Sequence, residues 1–302
     1  MKSNNALKNK ILVIGGANID YIGKSFNKII KQDSNIGTIS ISFGGVGRNI
    51  VENLARLGMD VTFITAIGDD FLGQLMLKEL LELNVKVIMP KTSSENSGGY
   101  LAIHSENGDM ELALCDQKIT EKISIEFLES QKNIINEFDY IVIDTNFNQD
   151  VLKYLINTYS RKKIFLDVIS TAKGKKIVGL ESKISFLKCN ELEARTLFTD
   201  NYFTNFNSNM LIVTKGSKTI EYNEKTKICY SNVEKVNQED IVNATGAGDA
   251  FFSGFICGIV LDKGYDKAFS MAKKLARLTL LSDGAVNKNI SIKDIDGDKN
   301  GN

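Results

Sequence analysis

Residues 241–254 read Ile-Val-Asn-Ala-Thr-Gly-Ala-Gly-Asp-Ala-Phe-Phe-Ser-Gly, which puts two glycines and a carboxylate where an apolar, helix-compatible run begins. The first N–H groups of a helix have no partner within it and sit at the positive end of its dipole, so such a start can hold an anion. Gly246 and Gly248 let phosphate oxygens approach where a Cβ would otherwise stand. An acidic side chain beside bound phosphate is electrostatically unfavourable, and its use there is to take a proton from the group attacking the phosphate. Asp249 is therefore read as a general base and the segment as a phosphoryl-transfer site. The competing readings are a Gly-rich turn before a helix whose start favours an acid, and a dinucleotide-binding turn. The second would need Gly or Ala three residues after Gly248, where Phe251 stands. A Walker-type loop fails at Gly174-Lys175-Lys176, which lacks both the upstream glycine and a following Ser or Thr.

The 302 residues, 43% of them apolar, suit one large α/β domain or two small ones. Lys+Arg and Asp+Glu balance at 37 each, so no net field draws the chain to nucleic acid or anionic lipid. No apolar run is long enough to span a membrane, and the Lys/Asn-rich stretch Met1 to Lys10 lacks the apolar centre of a signal peptide; a cytoplasmic protein is expected. Cys115, Cys189, Cys229 and Cys257 are far apart, which argues for free thiols, not a zinc site or a disulfide framework. The one histidine, His104, lies in the alternating run Tyr100–His104 and reads as a strand residue.

Ile11–Ile14 before Gly15-Gly16 reads as a buried strand ending in a tight turn, with Asn18 and Asp20 just past its end, where α/β sheets hold ligands. Residues 21–43 alternate toward Phe43 and read as β structure projecting from the main body. Asn49–Leu57 has the spacing of a buried helix face with Gly58 as its stop; strand 61–64, helix 71–83 and strand 85–88 follow. Gly99–His104 and Met110–Leu114 form a hairpin about Asn107-Gly108, pairing with 21–43 as one lid over segments of about 20–43 and 97–116. Strand–helix alternation resumes at 140–143, 151–159, 164–166, 186–187, 191–197 and 211–213. Two shorter strands near 219–222 and 227–230, the helix opened by Gly248 and one near 268–281 complete it, and the polar tail from Ser291 reads as frayed. This predicts one βαβ domain over 1–302 carrying a small β-sheet lid.

Two motifs about 200 residues apart, Gly44-Gly45-Val46-Gly47-Arg48-Asn49 and Ala244-Thr-Gly-Ala-Gly-Asp249, each at a helix start, resemble the signatures of the PfkB, or ribokinase-like, carbohydrate kinase family. Asn190-Glu-Leu-Glu193 is similar to that family's Asn-x-x-Glu motif. The stretch Gly16-Ala-Asn-Ile-Asp20, then Asp33-Ser-Asn35, Gly37 and Gly44 through Gly58, is most similar to bacterial pseudouridine kinases. Asn243 stands where the wider family carries an aspartate associated with monovalent-cation binding, which leaves K⁺ dependence open. Thr214-Lys-Gly216 lacks a second glycine at Thr219, and Lys188-Cys189-Asn190 has Cys for a common Pro; these departures bear on nucleotide preference.

The resemblance implies a three-layer α/β/α domain with a mostly parallel central sheet and a small β-sheet lid, ATP as phosphoryl donor, Mg²⁺ as bridging ion and the 5′-hydroxyl of a ribonucleoside, pseudouridine, as acceptor. It implies Asp249 as base and the N–H groups of Gly246, Ala247 and Gly248 as the anion hole. Asp20 and Asn49 then grip the ribose hydroxyls, with Gly45 allowing close approach and Asn18 assisting. Asn190, Thr214, Gly216, Thr245, Gly246 and Gly248 border the nucleotide, and Glu193 lies near hydrated Mg²⁺. A carbon-linked base offers an extra ring N–H that an acceptor must read; Asp33, Ser34, Asn35, Thr145 and Asn146 are candidates. Arg48 and Lys173 are cations in ligand-facing stretches, although such residues are more often solvated surface charges. A kinase for ribose or another ribonucleoside, and a binding protein that has lost catalysis, are the alternatives. Edge pairing of the lid would give a homodimer.

Overall fold

A computed structural model of the protein describes residues 10–206 and 209–297, so all but the last residue of the Lys/Asn-rich stretch at 1–10 lies outside it. In β1 (Lys10–Ile14) Ile11 and Val13 face one layer and Leu12 and Ile14 the other, all buried. A strand covered on both faces reads as a continuous apolar run. The chain goes on through β2 (Asn18–Ser25), β3 (Gly37–Gly44), α1 (Val46–Arg56), β4 (Asp60–Ile64), α2 (Phe71–Glu82) and β5 (Lys86–Ile88). The hairpin β6 (Gly98–His104) and β7 (Met110–Asp116) follows, and then α3 (Ile125–Ser130) and α4 (Lys132–Asn136). Next come β8 (Tyr140–Asp144), α5 (Gln149–Thr158), β9 (Lys163–Asp167), α6 (Thr171–Gly174), β10 (Phe186–Asn190), α7 (Glu191–Phe198), α8 (Tyr202–Asn205) and β11 (Met210–Thr214). The last elements are β12 (Thr219–Glu224), β13 (Lys227–Asn232), α9 (Ala247–Val260), α10 (Tyr265–Leu280) and α11 (Ile292–Asp296).

Nine strands form one sheet in the order β13-β12-β11-β10-β9-β8-β1-β4-β5. The seven from β11 to β5 run parallel, and β12 and β13 are antiparallel additions at one edge. One face packs on α1, α2, α9 and α10 through Ile50, Leu54, Met76, Phe252 and Phe269; the other packs on α3, α5 and α7 through Leu128, Leu152, Leu155 and Ala194. The result is a three-layer α/β/α body. In α9 almost every side chain is buried, and its Gly254 and Gly258 lie against Ala272 and Ala268 of α10, so closely that an added Cβ would fall 2.7 and 2.5 Å from their Cα atoms.

The remaining strands make a second sheet, β3-β2-β6-β7. Its register places Ile41, Tyr21, Leu101 and Leu114 in one row and Ile39, Gly23, Ile103 and Leu112 in the next, on the same face. Ile39 is 79% exposed and Leu114 60%, so this apolar face is open in the isolated chain. Asp20 projects from the other face, in the row of Ser42, Tyr100 and Cys115.

Three local expectations are corrected. Asn18 and Asp20 lie past the end of β1 as expected, but the projecting β structure begins with them and not at residue 21, so they ride on the small sheet. The tail from Ser291 is not frayed up to Gly297: the Asp294 carboxylate accepts from the Ser291 N–H at 2.7 Å, Ile295 is fully buried and Asp296 pairs with Lys263 at 2.8 Å. Arg48 is neither solvated nor turned to a ligand, because it is buried in ion pairs with Glu52 at 2.5 Å and Glu79 at 3.5 Å.

Candidate active site

Parallel strands in register end together, and in open α/β sheets ligands bind outside those ends where the strand order reverses. β1 is that point here, with β4 on one side and β8 on the other. Asp144, Asp167, Asn190 and Thr214 are the last residues of β8, β9, β10 and β11, with Asp144 opposite Asp167 and Asn190 opposite Thr214. Four polar groups thus line one rim of the sheet.

Asp144 fixes the nearest loops. It is 1% exposed, and its carboxylate accepts from the N–H groups of Gly16 at 2.8 Å, Gly47 at 2.9 Å and Asn146 at 3.0 Å. Burial pushes its pKa up, opposed by those N–H donors and by Lys173. The clamp draws the turn after β1 onto the first turn of α1. Gly45, the residue before that helix, has φ 96°, and a Cβ there would come within 2.7 Å of the Gly16 carbonyl oxygen. No other residue fits at such an approach.

A polar chain runs from this clamp to the small sheet. Lys173 donates to Asn146 Oδ1 at 2.6 Å and to Gln117 Oε1 at 2.8 Å; Gln117 donates to Asn18 Oδ1 at 3.4 Å and Asn18 to Asp20 Oδ1 at 3.1 Å. Burial raises the Asp20 pKa, with the Asn18 bond and Arg48 acting the other way. Lys173 is thereby tied into this polar chain and is not a free surface cation.

Across the rim stands α9. Gly246 precedes it in the left-handed region, φ 81°, and a Cβ there would fall 2.0 Å from the Ala285 carbonyl oxygen. No side chain caps this helix start, whose first N–H groups include those of Ala247, Gly248 and Asp249. Asp249 lies in the first turn, 9% exposed, and Oδ2 accepts from the Asn49 amide of α1 at 2.9 Å. Its pKa is pushed up to about 7, first by burial and then by the Asp167 charge, against the pull of Lys188 and the Asn49 bond. Lys188, buried on β10, donates to Asp167 Oδ2 at 2.9 Å, and its Nζ would lie 3.1 Å from a Cβ built on Gly248. A basic carboxylate, a fixed ammonium and open N–H donors therefore meet at one helix mouth, an arrangement suited to deprotonating an alcohol beside a phosphate.

Asn190 and Glu193 cap α7: Asn190 Oδ1 accepts from the Glu193 N–H, and Glu193 Oε2 accepts from the Asn190 N–H, both at 2.8 Å. Thr214 reaches the Cys189 carbonyl oxygen at 3.4 Å, Gly216 takes φ 60°, and the Thr245 N–H donates to Asn243 Oδ1 at 2.8 Å. Among the described residues no three His, Cys, Asp or Glu side chains cluster to hold a metal ion. A magnesium ion that keeps its waters and binds phosphate needs only one or two carboxylates, a demand that the buried Glu193, near Lys188, can meet.

Of the residues singled out from sequence, Asp249, the glycines before it, Asn49, Asn18, Asp20, Asn146 and Lys173 come together around the rim. Asp33, Ser34 and Asn35 are exposed and close their own turn, with Asn35 bonded to Ile30 and Asp33 to the Ser34 N–H. The Thr145 hydroxyl is committed to the Val168 carbonyl oxygen at 2.5 Å. Sequence reasoning missed Asp144, Asp167, Lys188 and Gln117; the polar residues closing otherwise apolar strands 140–144 and 163–167 were the available signal.

Residues 8–292 match the family described as pfkB family carbohydrate kinase. The chain is 30% identical over 305 aligned positions to a pseudouridine kinase of Escherichia coli K12, covering 95% of this chain and 96% of that one. It is 26% identical to a guanosine-inosine kinase of Exiguobacterium acetylicum, covering 91% and 95%. A solved carbohydrate kinase from Agrobacterium tumefaciens superposes with a TM-score of 0.82 at 26% identity, covering 95% of each chain. With the ribokinase-like fold, the helix-mouth carboxylate and these matches in agreement, the chain belongs to the pfkB family of carbohydrate kinases.

Proposed function

We propose that the protein is an ATP-dependent kinase that phosphorylates the 5′-hydroxyl of pseudouridine. The observation that carries the reaction is Asp249, buried in the open first turn of α9 with its pKa raised toward neutrality. The similarity to a pseudouridine kinase along nearly the whole chain supports the substrate. In this reading Asp249 accepts the O5′ proton, the O5′–P bond forms as the bond from the γ-phosphorus to the bridging oxygen breaks, and ADP leaves with that electron pair. The N–H groups of Gly246, Ala247 and Gly248 take up charge developing on the phosphoryl oxygens, about 3–4 kcal/mol for one such donor. Asp20, Asn49 and Asn18 hold the ribose, Gly45 permits its approach, and Asn146 and Lys173 face the base. Asn190, Thr214, Gly216 and Thr245 border the nucleotide, and Glu193 would hold Mg²⁺. When bound, that ion supplies charge neutralisation between phosphate groups.

A kinase for another ribonucleoside is the second reading, favoured by the similarity to a guanosine-inosine kinase. A nucleoside and sugar screen with ATP and Mg²⁺ decides: pseudouridine is expected to give the highest kcat/KM, and equal values for uridine and pseudouridine would refute the substrate while leaving the kinase. No described helix is long and apolar enough to cross a membrane, and the four cysteines are free. The proposed setting is the cytoplasm, with small molecules and not nucleic acid as ligands and the small sheet as lid and dimer contact.

A further inference from the structure

The reaction proposed above asks two incompatible things of Asp249. It must be basic enough to take an alcohol's proton, yet ionised near neutral pH although buried beside other carboxylates. The groups facing it come from four elements: Asn49 of α1, bonded to Oδ2; Asp144, closing β8; Asp167, closing β9; and Lys188 of β10. Only Lys188 among them is cationic. Its ammonium is not free to wander, since Asp167 holds it at 2.9 Å and β9 and β10 pair Lys188 with Asp167 in register. It also lies against Gly248, where any larger residue would press on it.

We propose that Lys188 and Asp167 are a positioning pair that sets the proton affinity of Asp249, Lys188 holding it in the ionised form and Asp167 limiting how far that goes. A lone lysine here would form an ion pair with Asp249 and leave a weak base. A lone aspartate would leave Asp249 protonated. Held together, the ammonium stands at the helix mouth partly answered by the Asp167 carboxylate, which does not take part in proton transfer. The second negative neighbour, Asp144, is engaged by three backbone N–H donors, whereas Asp167 takes one, from Ile169 at 3.1 Å, besides the Lys188 ammonium. Glu193 also feels the Lys188 charge, but its oxygen is turned to the α7 start.

This inference rests on the proposed base role, so the test separates the two. In protein labelled with ¹³C at aspartate carboxyl carbons, the resonance assigned through Asp249→Asn is titrated without substrate. Lys188→Met is expected to move the midpoint up, and Asp167→Asn to move it down, each by about one unit or more, while Lys188→Arg stays near wild type. The acid limb of kcat/KM should follow in the same directions, with about a tenfold loss at fixed pH below the limb for each unit upward. Midpoints that stay put, or move the same way in Lys188→Met and Asp167→Asn, overturn the pair even if the enzyme remains an active kinase. Midpoints that move as stated in a protein that phosphorylates no nucleoside would uphold the pair and refute the kinase reading. Lys188→Met leaves Asp167 unpaired and is the variant at risk of misfolding; Asp167→Asn and Lys188→Arg keep the test decisive.

Discussion

Asp249 is where one side chain decides most. Its raised pKa has a sign that can be checked twice. Between the ordinary aspartate value of 3.8 and the folded value of about 7, the native protein binds a proton that the unfolded chain does not. Stability therefore falls as pH rises through that window, by about 1.4 kcal/mol for each unit of difference between the two pKa values. Asp249→Asn should flatten that slope in urea titrations at a series of pH values and gain on wild type at pH 8. The same variant should lose nearly all turnover while KM stays near wild type, and the wild-type kcat/KM profile should show an acid limb near 7. Retained turnover would refute the base role. Asp249 and Gly246 were legible because their chemistry is written within a few consecutive residues. Lys188, Asp167 and Asp144 were not, since each reads alone as a polar residue at a strand end and gains meaning only from partners on other strands.

Among the elements, α9 and α10 show how small residues set a spacing. Gly258 meets Ala268 so closely that Gly258→Leu must part the helices, and a cost of about 1–3 kcal/mol is expected. Urea unfolding with an unchanged m-value would show it as a lower midpoint. Because α9 carries Asp249 at its other end, kcat should fall as well. Strands and long helices were readable where both faces are buried or the period is sustained. The stretch between β7 and β8 was not, because α3 and α4 hold only six and five residues, too few for a helical period to stand out. α11 was misread for a related reason: five residues, mostly polar, with one buried isoleucine as anchor.

For the whole molecule, the open apolar rows on the small sheet lead to the expectation of two chains per particle in sedimentation equilibrium, and of one chain for the double substitution Ile39→Lys and Leu112→Lys. A wild-type particle of one chain would remove the dimer. The bonds that assemble the site are long-range: Asp144 meets Gly16 across 128 positions, and Asn49 meets Asp249 across 200. Contacts so distant in sequence slow folding, since their closure entropy is lost before they contribute. During synthesis, β1 thus emerges long before β8, one of its two flanking strands, is translated, and its apolar faces wait uncovered. A chain that must wait in this way has longer to associate wrongly, and its yield in a foreign host should rise as growth temperature is lowered.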